Sequence, residues 1–208
     1  MGRPPRVAHG GQGLFYVMGP SGSGKDSLLR ALRERLGADD RIVIAHRYIT
    51  READANEASV ALSTSEFARR QALGCMALHW RSHGLHYGIG VEIETWLAQG
   101  LRVIVNGSRE YLAQAVARYP ALCAVHVRVS PEVLGARLRQ RGRESEAAIA
   151  ARLARAAQAF EVPAGCQLVD IDNSGPLEDA AARLAALVGA TAPAGAHSAS
   201  PRARNPVE

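Results

Sequence analysis

The chain has 208 residues and a formal net charge of +5, with 47% hydrophobic and 22% charged residues, the proportions of one soluble globular domain with room for a full core. No apolar run approaches the ~20 residues needed to cross a bilayer, and the N-terminal MGRPPRVAHGGQG lacks the apolar core of a secretory signal. The basic excess does not point to nucleic acid, because the arginines are spread along the chain and aromatics make up only 5% of it. Cys75, Cys123 and Cys166 are odd in number and lack paired spacing, so they read as small core residues in a reducing, cytoplasmic setting.

Taken in order, residues 1–12 read as a flexible leader. Leu14 to Met18 is strand-type sequence that runs into Gly19-Pro20-Ser21-Gly22-Ser23-Gly24-Lys25, and Leu28, Leu29, Leu32 and Leu36 then recur at helical spacing. A strand, a Gly-rich turn ending in G-K and a helix make a phosphate-binding P-loop. The glycines let successive N–H groups point at phosphate oxygens, and the helix adds its N-terminal dipole. Lys25 is the single lysine among 25 basic residues. A compact ammonium on a flexible stem reaches into such a cradle where a planar guanidinium would not. The residue after the P-loop lysine is usually Ser or Thr, whose hydroxyl binds Mg2+; here it is Asp26, followed by Ser27. Asp26 is the favoured Mg2+ ligand, directly or through water. Ser27 in a shifted geometry is one alternative, and an Asp26 that merely complements the helix N-terminus is another.

The P-loop helix should end near Gly37, with a short strand at Ile42 to Ala45. The stretch from Glu52 to Val60 lacks periodicity and reads as a mobile loop. Ser63 or Ser65 can cap a helix through Leu73, with Gly74 as its stop. A β-like stretch from Met76 to Trp80 turns at His83-Gly84, and a helix over 91–99 precedes the apolar strand Leu101 to Val105, interrupted only by Arg102. That strand ends at Asn106-Gly107-Ser108-Arg109, with a helix from Glu110 to Arg118 behind it. Ala124 to Val129 is another buried strand, and Ser130-Pro131 caps and opens a helix. A second helix spans Glu146 to Ala159. Leu168 to Ile171 is the last strand and Leu177 to Val188 the last helix, before an Ala/Pro/Ser/Gly-rich tail over 190–208 that reads as disordered. Strands alternating with helices give an α/β fold around a central parallel sheet. His79, His83 and His86 fit no zinc spacing; His83 and His86 read as substrate contacts or turn formers, while Trp80 and Trp96 read as packing residues.

GPSGSGK, then Thr50-Arg51, then Tyr87-Gly88, then Arg141-Gly142-Arg143 with Ser145, Glu146, Ile149, Arg152 and Leu153 follow the order of the guanylate kinase-like P-loop kinases, which this chain resembles from about 14 to 188. The resemblance implies a P-loop NTPase three-layer fold in a kinase domain over 13–189, with an inserted acceptor-binding lobe near 46–90 and an arginine-rich lid near 139–156. It departs from guanylate kinase at the acceptor. Asp54 replaces the second phosphate-gripping arginine, Ser59 falls near one phosphate-binding tyrosine, and Leu78 and Ile89 stand where a carboxylate and a hydroxyl would read guanine. Apolar side chains there would leave a purine's polar edge unpaired. The segments HRYITR, ALSTSEF, HGLHYGIGVE and VNGSREYL, with the GKDS ending of the P-loop, instead resemble the ribose 1,5-bisphosphate phosphokinases of bacterial phosphonate catabolism.

That resemblance implies ATP-dependent, Mg2+-assisted phosphorylation of ribose 1,5-bisphosphate to 5-phosphoribosyl 1-diphosphate (PRPP). The substrates are small molecules, with no nucleic-acid or membrane partner and a homodimer left open. The P-loop and Lys25 would hold the ATP phosphates, with Arg141, Arg152 and also Arg143 closing from the lid. Arg51 and Tyr87, with Arg47 and Arg109 as added cations, would hold the bisphosphate. Asn106 and Ser108, at the carboxyl end of a core strand, are placed for sugar hydroxyls. Arg137 and Arg139 read as surface charge, and Asp172-Asn173 as near the adenine. The competing readings are a nucleoside monophosphate kinase and a non-catalytic guanylate kinase-like binding module.

Overall fold

The structure, a computed structural model, describes residues 10–52, 58–142 and 145–190. Most of the leader and tail, together with Asp54 and Arg143, lie outside the described residues. The described part of the leader is tied down rather than free: Ala121 N–H donates to Gly10 O at 2.7 Å and Leu14 N–H to Gly11 O at 2.9 Å.

Five strands form a parallel sheet: β1 (Leu14–Met18), β2 (Ile42–Ile44), β7 (Arg102–Asn106), β8 (Cys123–Arg128) and β9 (Gln167–Asp172), in the order β2-β7-β1-β8-β9. Their alternation sorts side chains to two faces. Leu14, Tyr16, Met18, Val103, Val105 and Ala124 face one way, into a core closed by α3 (Glu92–Ala98) and α4 (Leu112–Arg118). Val17, Ile104, Val125, Val127 and Ile171 face the other, against α1 (Lys25–Arg35) and α7 (Leu177–Val188). Both faces of the sheet are thus buried, as a parallel sheet requires. Removing one fully buried leucine such as Leu32 would cost about 2–5 kcal/mol. Arg102, which breaks the apolar run of β7, donates from Nη1 to Val188 O at 2.8 Å and Gly189 O at 3.0 Å, so its exposed end closes the C-terminus of α7.

Between β2 and α3 the chain builds a second sheet, ordered β4-β3-β6-β5, from β3 (Arg47–Ile49), β4 (Ser59–Ala61), β5 (Met76–Ser82) and β6 (Leu85–Gly90), with α2 (Thr64–Ala72) between β4 and β5. β3 and β4 are three residues each and carry no alternation of their own. They form because β6 offers β3 an antiparallel edge, where Tyr48 faces Gly88 and Ile49 faces Tyr87. β4 accordingly replaces the last part of the loop expected through Val60. The β5–β6 hairpin turns on His83 and Gly84, both at positive φ (48° and 78°), the backbone of a two-residue primed turn. Ser63 caps α2 by accepting from Glu66 N–H at 3.1 Å.

After β8, Ser130 and Ser145 cap α5 (Pro131–Gln140) and α6 (Glu146–Ala157). These two helices pack through Leu134, Leu138, Ile149 and Leu153. Cys123 is buried and Cys166 half-buried, but Cys75 is exposed, so it is not the core residue that composition suggested. No helix among the described residues is long and apolar enough to cross a membrane.

Tyr16 joins the sheet to the loop after β7. Its hydroxyl donates to Ser108 O at 2.9 Å and accepts from Ser108 N–H at 2.9 Å, and the ring fills the space a Cβ on Gly107 would need. Burial raises the phenol's pKa far above its usual value, so it stays a donor. Tyr16→Phe should therefore destabilise the fold by about 1–3 kcal/mol in denaturant unfolding, because it leaves both Ser108 groups unpaired. A loss under about 0.5 kcal/mol would show the clamp to be idle.

Candidate functional site

β1 lies between β7 and β8, and the chain's later strands are added on both sides of it. Ligands of such sheets bind in the crevice outside the carboxyl ends of the strands at this point. The residues that follow β1 are the P-loop. Gly22 and Gly24 take φ of 94° and 84°, open to glycine at no steric cost, and a Cβ on Gly19 would stand 2.5 Å from Val127 O. Lys25 curls back over the loop, its Nζ donating to Gly19 O at 2.8 Å and Pro20 O at 3.2 Å. The loop is gripped from behind by Asn173, 1% exposed, whose Nδ2 donates to Ser23 O at 2.7 Å. Asn173 thus serves as a brace for the P-loop. The Ser23 hydroxyl is fully buried and has no hydrogen-bond partner among the described residues.

Two arginines reach this loop from the α5–α6 pair. Arg152 donates from Nη2 to Ser21 Oγ at 2.6 Å. Arg137 does what its reading as surface charge did not anticipate: its Nη1 is buried, lacks a partner among the described residues, and stands 3.7 Å from where a Cβ on Gly24 would be. The signal lay in the helical wheel. Leu134 and Leu138 face the P-loop, against Gly22. At 100° per residue, position 137 flanks that stripe and 139 points away. Arg139 indeed lies outside, paired with Glu146 at 3.0 Å. Arg141, at the end of α5, is exposed. Beneath α6 a cleft of about 470 Å³ opens between Pro20, His126, Arg128 and Leu153. Burial lowers the pKa of His126, whose Nδ1 meets Asp170 Oδ1 at 3.0 Å.

On the other side of the loop, Asp26 is the meeting point of three elements. Its Oδ1 accepts from Asn106 Nδ2, at the end of β7, at 2.6 Å and from Arg47 Nη2, at the start of β3, at 3.4 Å. Ser27 is half-buried in the first turn of α1. The Arg47 guanidinium lies 5.5 Å from the Tyr87 ring centre, Tyr87 stacks on Trp80 at 5.6 Å, and Trp80 on Tyr111 at 5.6 Å. Arg47 and Tyr87 are therefore brought to the P-loop, and Ser108 is held at its side by Tyr16. Arg51 is exposed just after β3.

Three sequence-derived roles need correction. The guanidinium of Arg109 is turned to the C-terminus of α6, donating to Ala156 O at 3.0 Å and Arg155 O at 3.0 Å, so it anchors that helix instead of offering itself to an anion. The side chain of Asn106, 4% exposed, is given to Asp26 rather than presented to a sugar. Leu78 and Ile89 face each other across the β5–β6 ladder and are 1% and 0% exposed, so they belong to the hydrophobic core and line no pocket. No polar base edge has room there. Of the histidines, His83 forms the turn, His86 packs at 5.4 Å from the Phe67 ring, and burial together with the nearby Arg118 lowers the pKa of His79.

Residues 16–156 match the family model described as an AAA domain. The chain is 56% identical over 180 residues to a ribose 1,5-bisphosphate phosphokinase PhnN of Achromobacter xylosoxidans, an alignment covering 86% of this chain and 94% of that protein. It is 57% identical over 176 residues to the protein of the same name from Thiobacillus denitrificans, covering 84% and 92%. Among solved structures, guanylate kinase from Anaplasma phagocytophilum superposes with a TM-score of 0.62 at 17% identity, covering 85% of this chain and 84% of that one. The likeness to guanylate kinase is one of fold.

The contrast between Arg137 and Arg139 is testable by nucleotide titration. A hydrogen bond between charged groups is worth about 1.5–3 kcal/mol, so Arg137→Met should weaken ATP binding by about tenfold or more. Arg139→Met should change it by less than about twofold, in line with the small worth of exposed ion pairs. Equal effects from the two would remove Arg137 from the site.

Proposed function

The chain belongs to the ribose 1,5-bisphosphate phosphokinase family, and from that premise we propose that it transfers the γ-phosphoryl group of ATP to the 1-phosphate of ribose 1,5-bisphosphate, giving PRPP and ADP. The observation that carries this reading is the Arg47–Asp26 contact, which brings a cation of the second sheet to the residue beside Lys25. A phosphorylated acceptor held by Arg47, Arg51 and Tyr87 then faces a triphosphate held by the P-loop.

In the transfer, an oxygen of the 1-phosphate forms a bond to the γ-phosphorus while the bond to the bridging β-oxygen breaks, its electron pair leaving with ADP. A phosphate monoester with a second pKa of ~6 is already ionised at neutral pH, so no protein base is required. Alignment and charge neutralisation remain for the protein to supply. Lys25 leaves the Gly19 and Pro20 carbonyls for the β- and γ-phosphates. Arg152 and Arg137 neutralise charge from the α5–α6 side, and Arg141 joins them from the end of α5 as a lid. Ser108, its backbone held by Tyr16, would meet a sugar hydroxyl. The donor set fits Mg2+, a cation that takes one or two carboxylates plus substrate phosphates. Asp26 would hold it with Ser27 alongside, and the Asn106 side chain that donates to Asp26 keeps its buried Oδ1 without a hydrogen-bond partner among the described residues. When bound, the ion neutralises triphosphate charge. A cytoplasmic setting belongs to the same proposal.

Coupled assay of ADP release with ribose 1,5-bisphosphate, with GMP and with no acceptor tests the reading. Turnover should depend on the bisphosphate, and a larger rate with GMP would reject it. Lys25→Ala should lower kcat by about 10²–10³-fold, the scale of losing one transition-state charge contact; an unchanged rate would mean a binding module. With the sign set by a nucleophile that must be deprotonated, kcat/KM should fall about tenfold per unit as the pH drops below ~6. A rate that stays flat to pH 5 would require another nucleophile.

A further inference from the structure

P-loop enzymes ordinarily place a Ser or Thr hydroxyl directly after the P-loop lysine and a carboxylate on a nearby strand end, and the two hold Mg2+ together. In this chain both positions are occupied by the other chemistry. The residue after Lys25 is the carboxylate Asp26. The last residue of β7, on the strand directly beside β1 and in register with Val17, is the neutral Asn106. The two side chains touch, Asn106 Nδ2 donating to Asp26 Oδ1 at 2.6 Å.

We propose that Asp26 and Asn106 are a reciprocal exchange of the P-loop metal carboxylate: the charge has moved from the strand end to the helix start, and Asn106 is the positioning residue that holds it. Each part of the geometry follows from that exchange. A carboxylate at 106 would lie within hydrogen-bond distance of Asp26, in a site where Asn106 is only 4% exposed. Two carboxylates so close do not both ionise readily. An amide at the same place donates instead of repelling. Arg47 also falls on Oδ1, at 3.4 Å, and in this arrangement the other carboxylate oxygen would take the cation. The remaining polar atom of the amide, Asn106 Oδ1, is buried without a hydrogen-bond partner among the described residues. It is an acceptor held ready beside the carboxylate, able to take a hydrogen bond from a metal-bound water. Its neighbour Asp26 is far less buried, its side chain 45% exposed, as a group that must meet an incoming ion should be.

The inference rests on the proposed kinase reading only in its use of Mg2+ and ATP. Its test therefore leaves the acceptor out, and a wrong acceptor would not disturb it. ATP affinity is measured by calorimetry on the full chain with Mg2+ and with EDTA, and the ratio of the two is the Mg2+-dependent gain. Bound Mn2+ is followed by electron paramagnetic resonance in the same nucleotide complexes. Asp26→Ser and the isosteric Asp26→Asn should each lose about tenfold or more of the gain, and Asn106→Ala, which keeps the carboxylate but frees it, about tenfold. The double variant Asp26→Ser/Asn106→Asp, which restores the ordinary arrangement, should recover the gain to within about threefold of the native chain and return the Mn2+ signal. The exchange is overturned if Asp26→Asn and Asn106→Ala keep the native gain. It is equally overturned if the double variant, melting as cooperatively as the native chain, binds Mg2+ and ATP no better than Asp26→Ser.

Discussion

Everything in this structure is arranged around one electrostatic problem: two highly charged anions have to be brought into contact, and each repels the other. At the few ångströms that separate reacting phosphates, unit charges of like sign cost about 4 kcal/mol per pair at a protein surface. The chain answers with cations drawn from separate elements rather than with one cluster. Lys25 comes from the start of α1, Arg152 from α6, Arg137 from α5 and Arg47 from β3. In the structure each lies on the P-loop or on the residue next to it.

The arrangement needs rigidity behind it, and the contacts form a closed circuit. Tyr16 on β1 clamps Ser108 after β7. The next residue, Arg109, holds the C-terminal carbonyls of α6. Arg152 returns from α6 to Ser21 of the P-loop that β1 leads into. Asn173 braces the loop from β9's end. Arg109 thus ties α6, the helix that carries Arg152, to the loop after β7 through its backbone carbonyls.

The elements legible in the sequence were those whose signal is local. The P-loop is spelled by spacing, and the core strands are apolar runs buried on two faces. α7 spans Leu177 to Val188, the range its periodicity predicts. What stayed hidden depends on partners distant in sequence. β3 exists because β6 lies beside it, and β4 because β3 lies beside it. Arg109 and Asn106 look like ligand contacts at the end of a strand. Only the tertiary fold gives one to α6 and the other to Asp26. Leu78 and Ile89 were legible as losses of polar recognition. That they close the core, and do not wall a pocket, follows from their mutual register across the hairpin. Arg137 was readable from the wheel of α5, had the apolar stripe been used to ask which arginine shares its face.

The central claim is that donor and acceptor phosphates meet at the carboxyl end of β1, between Lys25 and Arg47. It is tested most directly by a crystal structure with a non-hydrolysable ATP analogue and ribose 1,5-bisphosphate bound together. The account predicts the γ-phosphate against Lys25 and Arg152, the sugar's 1-phosphate in line with it, and Arg47 and Tyr87 on the acceptor. A bisphosphate seated away from the P-loop, with Arg47 still facing Asp26 and no line of attack on the γ-phosphorus, would contradict it.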